Sequence, residues 1–376
     1  MKLLAGAIIG LWIVVAGYFF WNGITTIPAE NDSRMWHIPM AESILKGKIW
    51  GKDLYQSQYG YYPAMGEAVL ALLMVLKIPL NLYNWIGWVV LFFVMKALGI
   101  RRNLSHELAT ILAAGLVFLP TVMRLFPTQL IDVWLAVWWG WLLWLLEKPQ
   151  KSVKYWMCLG VAAGMVVGTK YTGLVLLLLA TMVYSKSLKK VWRGWGGVWF
   201  LVITMLIGGI WYLRNWIVWN DPLYPQNFLW FKGYQAFQLP IIWKDLLLSL
   251  RGWGLLIQAM FSEYLIFGGL VLLPIVYRNA WVWMGMVIMG MYLILPGDAR
   301  TVVSNLRYVV PGIMVLLLSA GEYFKRKRRE EWLGMITVVN AASVLPQLDY
   351  HPKVWLTAML LWMGWLWRQK YGKGFK

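Results

Sequence analysis

Charged side chains lie next to long apolar segments at several points in this sequence, and some of them are of types that catalyse reactions. The apolar run 3–21 is followed by the acidic cluster Glu30, Asn31 and Asp32, and then by His37. A carboxylate at the head of a long polar loop, just past a membrane segment, could act as a reaction centre at a bilayer surface. Charges beside membrane spans are costly to bury, so they are functional candidates. The candidates are Asp32, Glu67, Asp132, Lys170, Arg214, Asp221, Asp298, Arg300 and Arg307.

Two acids of this set, Asp32 and Asp132, each begin a different outer segment. They could therefore converge at the mouth of one cavity. The cations could then hold a phosphate group. The planar fork of arginine matches phosphate oxygens, and lysine provides a compact positive charge. Each residue taken singly could also be a solvated loop charge or a structural ion pair. The functional interpretation therefore depends on the set and not on one member.

The elements that must position these groups are membrane helices. The chain of 376 residues is 60% hydrophobic and only 14% charged, which predicts an all-α polytopic membrane protein. We interpret the first apolar run as a retained anchor, because its apolar length suits a span better than a signal peptide. About twelve spans are predicted from the apolar runs. They are 3–21, 82–99, 107–123, 130–146, 155–169, 171–184, 198–219, 255–277, 280–296, 303–321, 331–347 and 353–367.

The placement of charge predicts the orientation. With the N-terminus in the cytoplasm, the inner loops and termini hold 21 of the 35 basic residues but only 5 of the 16 acids. Because cytoplasmic loops of membrane proteins are enriched in Lys and Arg, we predict that both termini are cytoplasmic and that the candidate site is extracytoplasmic. The net charge of +19 then reflects orientation and contact with anionic membrane lipid, and nucleic acid is not an expected partner.

We predict a single integral membrane domain over 1–376, with large extracytoplasmic loops at 22–82 and 220–254. The apolar run 64–80 is interpreted as an interfacial helix in the first loop, because a crossing there would invert every later loop. The same interpretation is applied to 241–250 in the second loop.

Several other site classes are disfavoured by the sequence. The single cysteine, Cys158, excludes an intramolecular disulfide, and the three histidines lack zinc-ligand spacing. No certain cofactor is predicted: outer-loop carboxylates could hold Mg²⁺ or Mn²⁺, but no ligand spacing requires either ion. The sequence contains neither a phosphate-binding G-x-x-x-x-G-K-[ST] loop nor a G-x-S-x-G nucleophile motif.

A family resemblance is carried by short motifs that occur in a fixed order. They are NDSRMWHIPMAESILKGKIW (31–50), YYPAMGE (61–67), LIDVWLAVWWGWLLWLL (130–146), GTKYTGLVLLLLA (168–180), LRNWIVWNDPLYP (213–225) and NLRYVVPGIMVLLL (305–318). Together they resemble the GT-C superfamily of membrane glycosyltransferases, which includes protein O-mannosyltransferases and lipid A aminoarabinose transferases. The resemblance extends from the first span to about residue 320. One departure is Trp36 before His37, where the family more often has tyrosine.

The resemblance implies transfer of a sugar from a polyprenyl-phosphate carrier to a glycan, lipid or protein acceptor at the extracytoplasmic face. In a bacterium the carrier would be undecaprenyl phosphate. The family's catalytic acid of the first outer loop corresponds to Asp32, the acid opening the fourth span to Asp132, and the outward lysine between two short spans to Lys170. A role at the active site is also implied for Tyr224, although the Asn-Asp-Pro-Leu-Tyr-Pro run 220–225 could be a rigid turn only.

The chemistry of this reaction suits the residues. The acceptor hydroxyl must lose a proton, and negative charge growing on the leaving phosphate must be neutralised. We predict Asp32 as general base, with Glu67 or Asp132 orienting the acceptor or the base, and inversion at the anomeric carbon. The phosphate candidates are Lys170, Arg300 and Arg307, and the substrate-binding candidates are His37 and Tyr224.

Two other functions fit a polytopic chain. A polysaccharide polymerase or ligase that acts on lipid-linked glycans would need the same outer cleft. A secondary transporter or lipid flippase would instead be expected to carry polar groups near the bilayer midplane, often on broken helices.

Overall fold

The computed structural model describes residues 1–50, 58–191, 195–226, 231, 233, 249–294 and 302–344. Within these ranges the chain is helical and contains no strand, so the predicted all-α class is confirmed there. In the described ranges, six helical segments are long and apolar enough to cross a membrane, and five apolar helices are shorter. The chain is therefore an integral membrane protein. The predicted span 353–367 and most of the predicted interfacial helix 241–250 lie outside the described residues.

Seventeen α-helices are found in the described ranges, and we number them in chain order. They are α1 (Lys2–Thr25), α2 (Ile38–Leu45), α3 (Met65–Val75), α4 (Tyr83–Arg101), α5 (His106–Val117), α6 (Pro120–Met123), α7 (Asp132–Leu146), α8 (Val153–Thr169), α9 (Thr172–Val191), α10 (Gly196–Thr204), α11 (Ile210–Trp219), α12 (Leu250–Tyr264), α13 (Leu273–Val276), α14 (Ala280–Met291), α15 (Val302–Asn305), α16 (Val310–Arg326) and α17 (Glu330–Val344).

Three apolar segments that hydropathy predicts as continuous spans change helix type along their length. A π-helical turn, Met205–Gly209, joins α10 to α11, and a 3₁₀ segment, Leu265–Leu272, joins α12 to α13. Another 3₁₀ turn, Leu306–Val309, precedes α16. Hydropathy does not detect these changes, because it measures side-chain polarity and not backbone hydrogen bonding.

A glycine stripe on α8 allows close helix packing. Gly160, Gly164 and Gly168 recur every four residues and face α10 and the π-helical turn. A Cβ at Gly160 would lie 2.9 Å from the carbonyl oxygen of Phe200, and one at Gly168 would lie 3.1 Å from the Cα of Gly208. Small residues with this spacing let membrane helices approach each other closely. The contact fixes the end of α8, which immediately precedes Lys170.

Charged groups lie at both ends of the central helices. Helix α7 begins at Asp132 and is followed by Glu147, whereas α16 follows Arg307 and carries Glu322 near its other end. Arg102 forms ion pairs with both glutamates, which shows that these two ends lie together. At 1.5 Å per residue, α7 and α16 separate their two charged ends by roughly 22 to 25 Å. The groups that we predicted as outer and inner thus lie at opposite ends of the bundle.

Candidate active site

Two cations surround a buried carboxylate at the end of the bundle where α7 begins. Asp132 is 3% exposed and forms an ion pair with Lys170, which lies in the extended link between α8 and α9. The second carboxylate oxygen of Asp132, Oδ2, lies 3.4 Å from the Nε of Arg307. Arg307 lies in the 3₁₀ turn before α16. Segments at the ends of three helices that are far apart in sequence therefore bring one acid and two cations together.

Arg307 also connects this cluster to Asp32. One terminal nitrogen of Arg307, Nη2, lies 3.7 Å from Oδ2 of Asp32. The Asp32 side chain is 41% exposed, whereas that of Arg307 is 18% exposed. Asp32 is thus the solvent-accessible carboxylate of the group, and it lies beside a cation that is mostly shielded from water.

Tyr308 is a member of the site that the sequence did not reveal. The Nζ of Lys170 lies 3.7 Å from the centre of the Tyr308 ring, which is a cation–π contact. The Tyr308 hydroxyl accepts a hydrogen bond of 3.3 Å from Nη2 of Arg307. A tyrosine that follows an arginine has no distinctive pattern, so only the fold shows that its ring faces Lys170.

The backbone that carries Asp32 is held by Glu30. One oxygen of Glu30 accepts a hydrogen bond from the backbone N–H of Asp32 at 3.0 Å. The other accepts from the backbone N–H and the hydroxyl of Ser33, both at 2.6 Å. This is the geometry of a helix N-cap, and it begins a helical stretch that continues through the π-helical turn Ser33–His37 into α2. An acid directly before a helix start is the signal that could have predicted this role.

Ser33 joins the Asp32 segment to the segment before α7. Its hydroxyl oxygen accepts a hydrogen bond of 2.8 Å from the backbone N–H of Gln129. The side-chain amide nitrogen of Asn84 in turn donates to the carbonyl oxygens of Leu125, Thr128 and Leu130 at 2.9 to 3.0 Å. These buried bonds place Asp132 relative to Asp32. They join residues far apart in the chain, so no local pattern predicts them.

The hydrogen bonds to Glu30 should make the stability of the folded protein depend on pH. Burial raises the pKa of Glu30, but hydrogen bonds from Ser33 and Asp32 outweigh it, and the pKa lies below its ordinary value. A carboxyl group whose pKa is lowered by folding stabilises the folded state when the pH is above the pKa of the unfolded chain. This stability is lost as the pH falls through the folded-state pKa. We therefore expect Glu30→Gln to melt at a lower temperature than the wild type at pH 7, with the difference shrinking below about pH 4.

Thermal melts of both proteins at pH 7 and at low pH measure this effect. Glu42→Gln is the matched control, because Glu42 is exposed on α2 and pairs only with Lys46 among the described residues. An equal melting difference for Glu30→Gln at both pH values would show that the charge of Glu30 does not stabilise this segment.

His37, at the end of the π-helical turn after Asp32, forms a polar pair with Glu67 of α3. Nδ1 of His37 lies 2.7 Å from Oε1 of Glu67, in the first turn of α3. The Glu67 side chain is 9% exposed, and within the described ranges its other oxygen has no hydrogen-bond partner. The pair joins the segment that carries Asp32 to the start of α3. Both residues were predicted from the sequence as site candidates.

Tyr224 lies in an aromatic cluster. Its ring stacks on Trp219 with a centroid distance of 4.4 Å and meets Tyr61 edge-on at 5.5 Å. Its carbonyl oxygen accepts hydrogen bonds from the Tyr171 hydroxyl and from the side-chain amide of Asn215. Because Tyr171 directly follows Lys170, this cluster supports the link that carries the cation.

Arg214, which we predicted only as a member of the outward set, is fully buried. It donates hydrogen bonds of 3.2 Å to the carbonyl oxygens of Gly60 and Tyr62, and it therefore holds the segment before α3. The predicted candidates Asp298 and Arg300 lie outside the described residues. Among the residues that are described, no group of three or more His, Cys, Asp or Glu side chains could hold a metal ion.

The arrangement combines two chemical capacities. Asp32 is accessible and can accept a proton, while Arg307, 3.7 Å from it, and Lys170, which shares Asp132 with Arg307, provide positive charge. Asp132 compensates the two cations and keeps them close together. A hydroxyl group and a phosphate group could therefore be held side by side.

No protein-family model and no curated protein sequence matches the chain significantly. The crystal structure of ArnT from Cupriavidus metallidurans in the apo state matches with a TM-score of 0.57 and 17% identity. That match covers 89% of this chain and 63% of the ArnT chain. The chain shares the ArnT fold.

A second solved structure, ArnT from the same organism bound to undecaprenyl phosphate, matches with a TM-score of 0.58 and 16% identity. It covers 94% of this chain and 70% of that chain. Since ArnT, a lipid A aminoarabinose transferase, is a GT-C glycosyltransferase, the resemblance found in the sequence motifs is confirmed at the level of the fold. The chain spans about two thirds of the length of the ArnT chains that it matches.

Proposed function

We propose that this protein is a membrane glycosyltransferase that moves a sugar from a polyprenyl-phosphate carrier to an acceptor at the extracytoplasmic face. The observation that carries the proposal is the ion pair of one accessible acid, Asp32, with Arg307, which shares the buried carboxylate of Asp132 with Lys170. The ArnT fold supports it, because one of the two matching ArnT structures contains undecaprenyl phosphate.

In the proposed reaction Asp32 accepts the proton of the acceptor hydroxyl. The acceptor oxygen forms a bond to the anomeric carbon while the bond from that carbon to the phosphate oxygen breaks. The electron pair of the broken bond stays on the carrier phosphate, which leaves without needing a proton. A single displacement of this kind inverts the anomeric configuration.

Lys170 and Arg307 neutralise the charge that grows on the leaving phosphate. Preorganised positive groups stabilise such charge most effectively where water is scarce, and both side chains are four-fifths shielded. We assign Asp132 to holding these two cations, because its carboxylate already contacts both. His37 and Glu67 are assigned to the acceptor side, next to the segment that carries Asp32.

The position of the charges favours this chemistry over transport. Asp132 is the first residue of α7, Lys170 lies between two helices, and Arg307 lies in the turn before α16. These are helix ends, whereas a transporter would be expected to bind its substrate near the bilayer midplane. A polymerase or ligase would use the same helix ends. It is distinguished from the proposed enzyme by the product that it forms.

Turnover of a labelled lipid-linked monosaccharide tests the proposal. Membranes that contain the overproduced protein and their native acceptors are incubated with a sugar-labelled polyprenyl phosphate. We expect loss of the donor, release of polyprenyl phosphate and appearance of one labelled sugar unit per acceptor.

Two other results would contradict the proposal in different ways. Growth of a lipid-linked chain by repeated units would indicate a polymerase. Movement of intact donor across sealed vesicles, with no phosphate released, would indicate a transporter. Membranes without the protein provide the background for each measurement.

A further inference from the structure

A basic cavity lies at the end of the bundle opposite the candidate active site. It has a volume of 660 Å³, which falls within the range of about 300 to 1,000 Å³ typical of small-ligand sites. Its walls come from the link between α4 and α5, the link between α13 and α14, and the last turns of α16. Four cations line it, and they are Arg102, Arg278, Lys325 and Arg326.

The cations differ in how far protein groups already neutralise them. Arg102 is paired with Glu147 and Glu322 and packs over the ring of Trp281 at 3.5 Å, so it is part of the structural support. Arg278 instead donates to the carbonyl oxygen of Pro274 at 3.2 Å, and Arg326 lies 5.1 Å from the ring centre of Tyr277. Neither a carbonyl nor a ring cancels a full positive charge. Arg278 and Arg326 therefore keep charge available for an anionic ligand.

Apolar surface continues from the rim of this cavity. Leu272, Ile275 and Val276, which directly precede Tyr277 and Arg278, are 61%, 71% and 60% exposed. A free phosphate would gain nothing from such a surface. A lipid would gain from both parts, because its headgroup could occupy the cavity while its acyl chains lie along α13.

We propose that this cavity binds the phosphate headgroup of an anionic phospholipid in the leaflet opposite the candidate active site. Arg278 and Arg326 hold the phosphate, and Leu272, Ile275 and Val276 contact the acyl chains. The proposal does not depend on the transferase proposal, because no residue of the Asp32 site contributes to it.

Native mass spectrometry of the full-length protein tests the proposal. The protein is delipidated in detergent and then mixed with phosphatidylglycerol, with phosphatidylcholine, or with inorganic phosphate. We expect one phosphatidylglycerol to be retained in preference to phosphatidylcholine, with millimolar phosphate displacing it poorly. The double variant Arg278→Ala with Arg326→Ala should retain it at least about tenfold more weakly, since two basic residues that attract the anionic headgroup are removed.

Matched variants distinguish specific binding in the cavity from nonspecific electrostatic attraction to a basic surface. Lys327→Ala with Arg329→Ala removes the same charge from exposed positions outside the cavity, and it should bind like the wild type. Arg278→Lys with Arg326→Lys keeps the charge and should retain most of the binding, which provides a second readout if the alanine pair folds poorly. Asp32→Asn should also bind normally.

Three results would overturn the proposal. Equal weakening in the Lys327 and Arg329 control pair would show that only overall charge matters. Equal retention of phosphatidylcholine would show that the headgroup is not recognised. Tight binding of inorganic phosphate that excludes the lipid would show that the cavity is a site for free phosphate.

Discussion

Asp32→Asn is expected to lower sugar transfer by about a thousandfold or more while the protein stays folded and inserted, because general-base catalysis alone contributes about 10² to 10⁴ in rate. Asparagine has the shape of aspartate but cannot accept the acceptor proton. The stability should change little, since the Asp32 side chain is 41% exposed and its ion pair with Arg307 is long, at 3.7 Å. The measurement is donor turnover in membranes, alongside a melting curve of the purified variant.

Glu42→Gln provides the matched control for Asp32→Asn. It makes the same change of carboxylate to amide a few residues further along the same helical segment, on an exposed side chain of α2. We expect it to transfer sugar at the wild-type rate. Full activity in Asp32→Asn would remove Asp32 from the mechanism, even if the fold and the carrier are as proposed.

Arg307→Gln is expected to lower donor turnover by about a hundredfold, because a preorganised group that stabilises transition-state charge is worth roughly 10² to 10³ in rate. Lys170→Met should have an effect of similar size. Both variants should also bind undecaprenyl phosphate more weakly, which native mass spectrometry measures directly. Each variant leaves the buried Asp132 with one cation, so a fall in stability is expected as well.

A second substitution separates the loss of phosphate binding from this loss of stability. Asp132→Asn combined with Lys170→Met removes one charge of each sign and leaves Arg307 beside Asp32, so it should be more stable than Lys170→Met alone without recovering turnover or carrier binding. Arg124→Gln is the control for a buried acid that loses its cation, because Arg124 pairs with Glu263, which is 1% exposed. Recovery of turnover in the double variant would show that Lys170 only balances the charge of Asp132.

The membrane class and most helices could be predicted from the sequence, because burial in lipid requires continuous apolar segments with internal hydrogen bonds. The predicted runs 130–146 and 155–169 correspond closely to α7 and α8. Twelve crossings were not confirmed, since six described segments have the length and composition of a full span. Hydropathy did not predict the π-helical turn between α10 and α11, or the 3₁₀ segments before α13 and α16. The same apolar residues fit α, π and 3₁₀ backbones.

The site was predictable in its charged members only. Asp32, Asp132, Lys170 and Arg307 stood out because a charge beside an apolar run is costly and therefore rare. The roles of Glu30, Ser33, Gln129 and Tyr308 did not stand out, since they are defined by contacts and not by residue type. Tyr308 is informative only because its ring lies under Lys170, which is far away in the chain.

By itself the sequence determined the environment of this protein, its helical class and the short list of charged groups that could react beside a phosphate. Only the tertiary structure decided how those groups divide their work. It buries Asp132 between two cations, leaves Asp32 accessible and collects four basic residues in a cavity at the other end. The physical reason is that apolarity is a property of each residue, whereas electrostatic pairing depends on distances of a few ångströms between residues far apart in the chain.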